Sequence, residues 1–254
     1  WFTREKIADN LIASQLESYG IPATYKIQQI GPSKQVLTDI VVGDPRRPDL
    51  TVARAEVTIF QRFGWPSIGR VRVVQPRLYG SFRQGKLSFG ALDPLLFVET
   101  NKEPFKLPDF KLDLEDGRGL IESDFGPIGL KAAGHGGLRG GFTGIVAAVA
   151  PQLAGQGCTA GRASFYGKVS IARARPRMKG PLRLESLACE GQDLHLRNAA
   201  VGLDLVADET LADIASDFDL RSGAGRYGDF ALSGINGQGE LAFRKGKLNA
   251  RYDA

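Results

Sequence analysis

The stretch GELAFRKGKLNARY, residues 239–252, alternates apolar and polar side chains on both sides of a Lys245-Gly246 dipeptide. Its alternating apolar positions are Leu241, Phe243, Leu248, Ala250 and Tyr252. A period of two places such residues on one face of a β-strand. A glycine-containing dipeptide between two alternating runs is typical of a hairpin turn. The stretch therefore predicts two antiparallel strands, each with one apolar face and one solvated face.

The same pattern recurs through much of the chain, as in DLHLR (193–197), DFDLRS (217–222) and FALSG (230–234). Turn signals containing Gly, Asn or Asp separate the runs. Strands buried on both faces in a parallel sheet would instead be unbroken runs of Val, Ile and Leu. We therefore predict an all-β fold, built mostly of antiparallel hairpins.

One segment departs from this pattern, because residues 2–19 have apolar residues at helical spacing. The stripe consists of Ile7, Leu11, Ile12, Leu16 and Tyr19. Thr3 suits the N-cap, and Gly20 followed by Pro22 ends the pattern. This amphipathic helix could pack on the core or lie at a membrane surface.

The polar, proline-containing stretch 101–109 is the best candidate for an internal boundary. We accordingly divide the chain into a helix at 1–20, a first β segment at 21–105 and a second β segment at 106–254.

Composition argues against several classes of protein. The chain has 254 residues, of which 43% are apolar, and a formal net charge of +5. Its cations are spread along the sequence, whereas a nucleic-acid-binding surface concentrates them in one stripe, so we expect no nucleic-acid partner. No run of 18 apolar residues is present. Because the chain does not begin with Met, we expect it to follow a missing segment of a longer protein.

The glycine-rich stretch GHGGLRGGFTG, residues 134–144, invites comparison with phosphate-binding loops. Its glycines do not form GxGxxG, and no Lys-Ser/Thr follows them as in a P-loop. His135-Gly136-Gly137 resembles part of an oxyanion hole, but the chain contains no GxSxG nucleophile motif. We therefore interpret the glycines as structural, allowing turns, bulges and close backbone approach. We predict no enzyme activity, no cofactor and no metal site.

The two cysteines, Cys158 and Cys189, leave two possibilities open. They could be isolated buried thiols. Alternatively, each ends a strand-like run, and a disulfide between them would indicate an oxidising compartment. We predict that they pair.

Several phrases of the sequence resemble the YdbH-type proteins of the AsmA/TamB superfamily. The phrases are RxxIAxxLIxxxLxxxGIPAxYxI (4–27), GDPRRPDLT (43–51), RVRVVQPRLYGSF (70–82), GKLSFGALDPLLF (85–97), GLKAAGHGGLRGGFTGIVAAVAPQL (129–153), GPLRLESLAC (180–189) and GKLNARYDA (246–254). Together they cover most of the chain, although none is a catalytic signature.

The resemblance implies an elongated, curved sheet forming an open β-groove that transports phospholipids between the two membranes of a Gram-negative envelope. It also implies a periplasmic location, an N-terminal inner-membrane anchor and a possible outer-membrane or periplasmic protein partner. The alternative is a closed β-sandwich or barrel that acts as a scaffold or binding module in outer-membrane assembly.

In the groove, alternating apolar residues would form a floor for acyl chains; in a sandwich, the same residues would be ordinary core. These twenty positions are Val71, Val73, Leu112, Leu114, Ile128, Leu130, Val169, Ile171, Leu182, Leu184, Leu194, Leu196, Leu203, Leu205, Phe218, Leu220, Phe230, Leu232, Leu241 and Phe243.

Overall fold

The computed structural model describes residues 20–31, 33–62, 65–96, 106–210, 213–244 and 247–253. The strands are β1 Ala23–Ile30, β2 Lys34–Asp44, β3 Arg47–Arg62, β4 Trp65–Val74, β5 Arg77–Arg83, β6 Lys86–Ser88, β7 Lys111–Ser123, β8 Gly126–Gly137, β9 Gly140–Gly155, β10 Cys158–Ala172, β11 Arg175–Cys189, β12 Leu194–Ala207, β13 Ile214–Tyr227, β14 Phe230–Arg244 and β15 Lys247–Asp253. Two 3-10 turns, Gly90–Leu92 and Glu190–Gln192, and one short helix, α1 Asp93–Leu96, complete the described elements.

All fifteen strands belong to one sheet. The sheet is large and curved, and strands make up 80% of the structure, which confirms the all-β prediction. From β7 to β15 every strand pairs with its sequence neighbours. The helix predicted at residues 2–19 lies outside the described residues. In the described ranges, no helix combines the length and the hydropathy needed to cross a membrane.

The expectation of a purely antiparallel sheet was wrong, because β7 pairs in parallel with both β4 and β5. A parallel pair requires a connection of a dozen residues or more that returns the chain to the starting edge. The described parts of this connection, residues 84–96 and 106–110, contain β6, a 3-10 turn and α1. The predicted boundary near residue 105 falls in this connection, next to undescribed residues, and stays a prediction.

A small, fully buried core lies beside this connection. Ile21, Val42 and Leu92 are its buried members. Leu92 belongs to the 3-10 turn, whose backbone is fixed by a hydrogen bond from Ala91 N to Asp49 Oδ2 of β3 at 2.9 Å. The connection therefore covers one end of the apolar face near β2, β3 and β5.

The two outermost strands, β1 and β15, each pair with one neighbour in the described part of the chain. They do not pair with each other, so the described sheet is not a closed barrel. No second described sheet packs on either face. This arrangement differs from the sandwich alternative, in which the apolar face would be sealed.

Candidate functional site

The register brings the twenty predicted apolar positions to the same face of the sheet. Directly opposite residues on neighbouring strands share a face. Val71 lies opposite Leu112, and Leu203 lies opposite Phe218. Equivalent pairs join the remaining strands from β7 to β14 into continuous rows. We refer to this face, with the twenty positions, as the trough. The side chain of Leu232 lies outside those described.

Strict alternation cannot explain this arrangement, because the set combines even- and odd-numbered residues of one strand. In β12, Leu196 and Ala199 are 8% and 4% exposed, although an odd separation should place them on opposite faces. Between them, Asn198 has a φ of 53°, in the left-handed region. The strand is therefore bent at Asn198, so that the residues on both sides of it point into the trough.

Contacts around Gly225 of β13 support this change in the side-chain alternation of β12 at Asn198. A Cβ added there would lie 2.7 Å from Leu196 Cδ2 and 3.4 Å from Ile235 Cδ1. Ile235 belongs to the row of Ala199, since both pair with position 222. Leu196 and Ala199 therefore share a face.

The same break in alternation occurs at this level in six neighbouring strands, β9 to β14. In each of these strands, one residue at this level is absent from every ladder of directly opposite pairs that passes it; the β10–β11 ladder has a second gap, at 166–167 and 180–181. The omitted residues are Pro151, Arg162, Glu185, Asn198, Gly223 and Gly234. A related break occurs in β7, where Asp116 has a φ of 45° and the register shifts between Leu114 and Gly117. These irregularities, aligned from strand to strand, bend the sheet while keeping its apolar residues on one side.

The glycine-rich stretch forms the β8–β9 hairpin and makes room for an aromatic ring. Phe142 is 8% exposed. A Cβ on Gly134 would lie 2.6 Å from Phe142 Cζ, and one on Gly144 would lie 3.2 Å from its Cε1. The ring therefore lies flat across two glycines on the trough side. The same arrangement recurs where Phe218 lies over Gly239.

Several trough residues were missed from the sequence. They are Phe142, Val146, Phe165, Met178, Val201 and Ile235. Phe142 and Phe165 each lie two residues before a glycine of the same strand that they contact, Gly144 or Gly167, and a search for this Phe-x-Gly spacing could have found them. Met178 and Val201 fit the simple alternation and could have been predicted from it. Val146 lies in a run that is apolar on both faces, and Ile235 follows the break at Gly234.

Exposure distinguishes the trough from a sealed core. Most trough side chains are half-buried, whereas core residues of a sandwich would be fully buried. Ile171 is among the few that are buried, at 7% exposed, and Phe230 at a hairpin end is 74% exposed. Beyond the end covered by the 3-10 turn Gly90–Leu92, no second described layer lies over the floor, so most of its side chains are only partly shielded.

The opposite face carries cross-strand ion pairs, although on β9 and β10 it also exposes Ile145, Val149 and Tyr166. Arg72 Nε and Glu115 Oε1 are 2.8 Å apart across β4 and β7. Arg177 Nε donates to Asp204 Oδ1 at 2.6 Å, and this bond is the main reason that the pKa of Asp204 is lowered to about 2. Lys34, followed by Arg54, lowers the pKa of Glu56 to about 2 in the same way. The cations of these pairs are solvent-exposed, which limits the stability that each pair contributes and identifies this face as the solvated one.

A depression of about 840 Å³ lies mainly on this charged face, over β11 to β15. Its lining combines Asp204, Asp217, Asp219 and Glu240 with Lys179 and Arg251. Among the described residues, no group of His, Cys, Asp and Glu is arranged to hold a metal ion. This depression is unsuited to hydrocarbon, because its ionised groups would have to be desolvated.

Cys158 and Cys189 lie directly opposite each other on β10 and β11, and their sulfur atoms are bonded. The bond closes the open end of the hairpin that these strands form. It lies at the margin of the sheet, beside the row that contains Leu194.

The structure thus combines a single curved sheet, an apolar face that is largely uncovered in the described residues, and an opposite face that carries cross-strand ion pairs. The model of the YdbH-like family, described as intermembrane phospholipid transport protein YdbH, matches residues 1–254, the whole chain. The chain therefore belongs to the YdbH-like family, a non-enzyme family of the cell envelope whose function is intermembrane phospholipid transport. No curated protein sequence matches the chain.

Proposed function

We propose that the trough carries the acyl chains of phospholipids between the inner and outer membranes. The observation that carries this proposal is the continuous apolar face, which runs from β4 to β14 and has no described layer over it beyond the end that the 3-10 turn Gly90–Leu92 covers. The strand path contains thirteen strands in order, which at about 4.8 Å per step gives a length of roughly 58 Å.

The energetic reason is the cost of exposing hydrocarbon to water. Each CH₂ contributes about 0.8 kcal/mol, so an acyl chain of ~16 carbons costs roughly 12 kcal/mol outside the bilayer. A continuous apolar floor removes much of that cost along the path. Because dispersion contacts are individually weak and non-directional, a tail can move along the trough without a single strong binding site.

The proposal includes an inner-membrane anchor and a possible protein partner at the outer membrane. Sequence resemblance to envelope-spanning relatives supports these two points. A scaffold function, the alternative, would use the same sheet to bind protein instead of lipid.

Photo-crosslinking tests the proposal with a matched pair of neighbouring positions. Leu182 belongs to the trough, whereas Arg183 follows it on the charged face. A photoreactive amino acid at Leu182 should crosslink to phospholipid in cells, and one at Arg183 should not. Equal lipid yields at the two positions, or protein adducts alone at Leu182, would contradict the proposal.

Native mass spectrometry of the purified chain provides a second test. The wild-type protein should retain phospholipid, and Leu182→Asp should lose most of it because a carboxylate in the floor must be desolvated. Arg183→Asp introduces the same side chain on the other face and should retain lipid.

A further inference from the structure

The hairpin turns of β7 to β15 alternate between the two margins of the trough. This follows because each strand pairs with the next in sequence. Turns at 138–139 and 173–174 and the described turn residues 208–210 lie at one margin, and turns at 124–125, 156–157 and 190–193 lie at the other. A lipid whose tails occupy the trough would place its headgroup at one of these margins, in water.

Three arginines meet at the first margin. The turns 138–139 and 173–174 are joined by a hydrogen bond from Ala174 N to Arg139 O at 2.7 Å. This contact brings the backbone of Arg139 beside the turn that contains Arg173. Arg175 lies opposite Ala172 and begins β11 on the outer face at the same margin, and all three arginines are exposed. We refer to these three arginines as the arginine rim.

The arginine rim is not neutralised within the described chain. Arg139 Nε donates to Leu107 O at 2.7 Å, which orients the guanidinium and leaves its two terminal nitrogens without a described protein partner. Arg173 and Arg175 have no partner among the described residues. This differs from Arg177, two positions further along β11, which binds Asp204.

The 173–174 turn has a backbone that is common in hairpins, but its two residues are unusual for that backbone. Arg173 and Ala174 have φ values of 52° and 56°, so two non-glycine residues occupy the left-handed region. The turn between β9 and β10 also has two residues with a positive φ, Gln156 and Gly157, but there the second residue is glycine. Left-handed turns of this kind favour Asn and Gly. Strained conformations of this kind are concentrated at functional sites.

The other turns differ from the arginine rim in their charges. The opposite margin carries Asp124, Glu190 and Asp193, and its nearby cations Arg83 and Arg226 are paired with them. At the first margin, the next turn (208–213) carries three carboxylates. Unpaired cations at the margins of β8 to β11 are therefore concentrated at the arginine rim.

We propose that the arginine rim binds the phosphate of a lipid headgroup whose acyl chains lie in the trough. This proposal rests on the proposed function. Guanidinium groups bind phosphate oxygens through paired, charge-assisted hydrogen bonds. Half of a 16-residue strand such as β9 spans about 26 Å. A lipid tail layer is about 15 Å deep, half of the hydrocarbon core of a bilayer. A tail can therefore extend from the margin into the trough while the phosphate stays at the rim.

The test compares two lipids with identical tails on the full chain. Dioleoyl phosphatidate carries a phosphate and dioleoylglycerol does not; each is titrated against a bound fluorescent acyl probe at low salt. A cation near a lipid surface contributes about fivefold in affinity. The wild-type protein should therefore prefer phosphatidate by about tenfold or more.

The rim variant replaces Arg139, Arg173 and Arg175 with Gln. It should bring the preference for phosphatidate close to one and leave the affinity for dioleoylglycerol unchanged. The control variant, Lys131→Gln/Arg162→Gln/Lys168→Gln, removes the same charge from the outer face and should keep the preference.

The outcomes separate the two proposals. A wild-type protein that binds neither lipid overturns the proposed function. A preference that is absent in the wild type, or unchanged in the rim variant, overturns the rim alone. Competition with inorganic phosphate at matched ionic strength tests whether the arginine rim recognises free phosphate or the phosphate of a lipid headgroup. If inorganic phosphate abolishes the preference and binds the wild type but not the rim variant, the site recognises free phosphate and the lipid assignment fails.

Discussion

Gly134→Ala tests the account of the glycine-rich hairpin. The added Cβ would lie 2.6 Å from Phe142 Cζ, 2.8 Å from Thr143 O and 2.9 Å from Gly144 Cα. Two of these atoms belong to the backbone of β9, so no change of rotamer relieves the contact. Overpacking of this kind costs about 1–3 kcal/mol. Because backbone must move, we expect about 2–3 kcal/mol of destabilisation.

Gly129→Ala is the matched control in the same strand. A Cβ there would meet only Val149 O, at 3.7 Å, which is an ordinary contact. Alanine in a strand interior is favoured over glycine by about 0.5–1 kcal/mol. The two variants should therefore differ by about 3 kcal/mol in free energy of unfolding.

Urea unfolding followed by circular dichroism measures this difference. For a chain of this length, it corresponds to roughly 6–12 °C in Tm. Phe142→Leu added to Gly134→Ala should relieve part of the clash, since only the ring contact is reduced. If Gly134→Ala proves as stable as Gly129→Ala, Phe142 does not lie over Gly134 and the structural interpretation of the glycines fails.

Three further predictions concern other parts of the sheet. Replacing Cys158 and Cys189 with Ser should lower stability by about 3–4 kcal/mol, because the unfolded chain regains the freedom of a 31-residue loop; thermal unfolding measures the loss. Acidification should remove the stabilising contribution of Asp204 between pH of about 4 and about 2. Its pKa is lowered from 3.8 to about 2 in the folded protein, so the unfolded chain takes up the proton first. Ala174→Gly should raise stability by about 0.5–1 kcal/mol in urea unfolding, because glycine adopts a positive φ without steric cost.

Each of these predictions has its own control. A reductant should lower the Tm of the wild type and leave that of the double Ser variant unchanged. Asp204→Asn should flatten the acid dependence of stability below pH of about 4, and a slope equal to that of the wild type would show that another group titrates. Ala172→Gly, at the neighbouring strand end, should destabilise; a stabilising effect there would remove the turn-specific explanation.

The alternation of side chains allowed much of the fold to be predicted. A period of two is a local property, because successive Cβ atoms of a strand point to opposite faces whatever its neighbours are. The runs around Phe218 and Leu241 therefore indicated strands with one apolar face, and the register places both residues in the trough.

The parallel pairing of β7 and the switch of alternation could not be predicted in this way. The sequence around Leu112 does not reveal whether its neighbour is the preceding or a more distant strand. That choice depends on the path of residues 84–110. Likewise, Asn198 is a common turn residue, and only its place in a row of equivalent breaks shows that it bends the sheet.

By itself, the sequence determined that the chain forms strands with separate apolar and charged faces, since this follows from residue order and local sterics. Only the tertiary structure decided that these faces join into one open trough, which residues line it, and which arginines meet at its margin. These features depend on contacts between residues far apart in sequence. Arg139 and Arg173 illustrate the point, because a single backbone hydrogen bond between two turns brings them together.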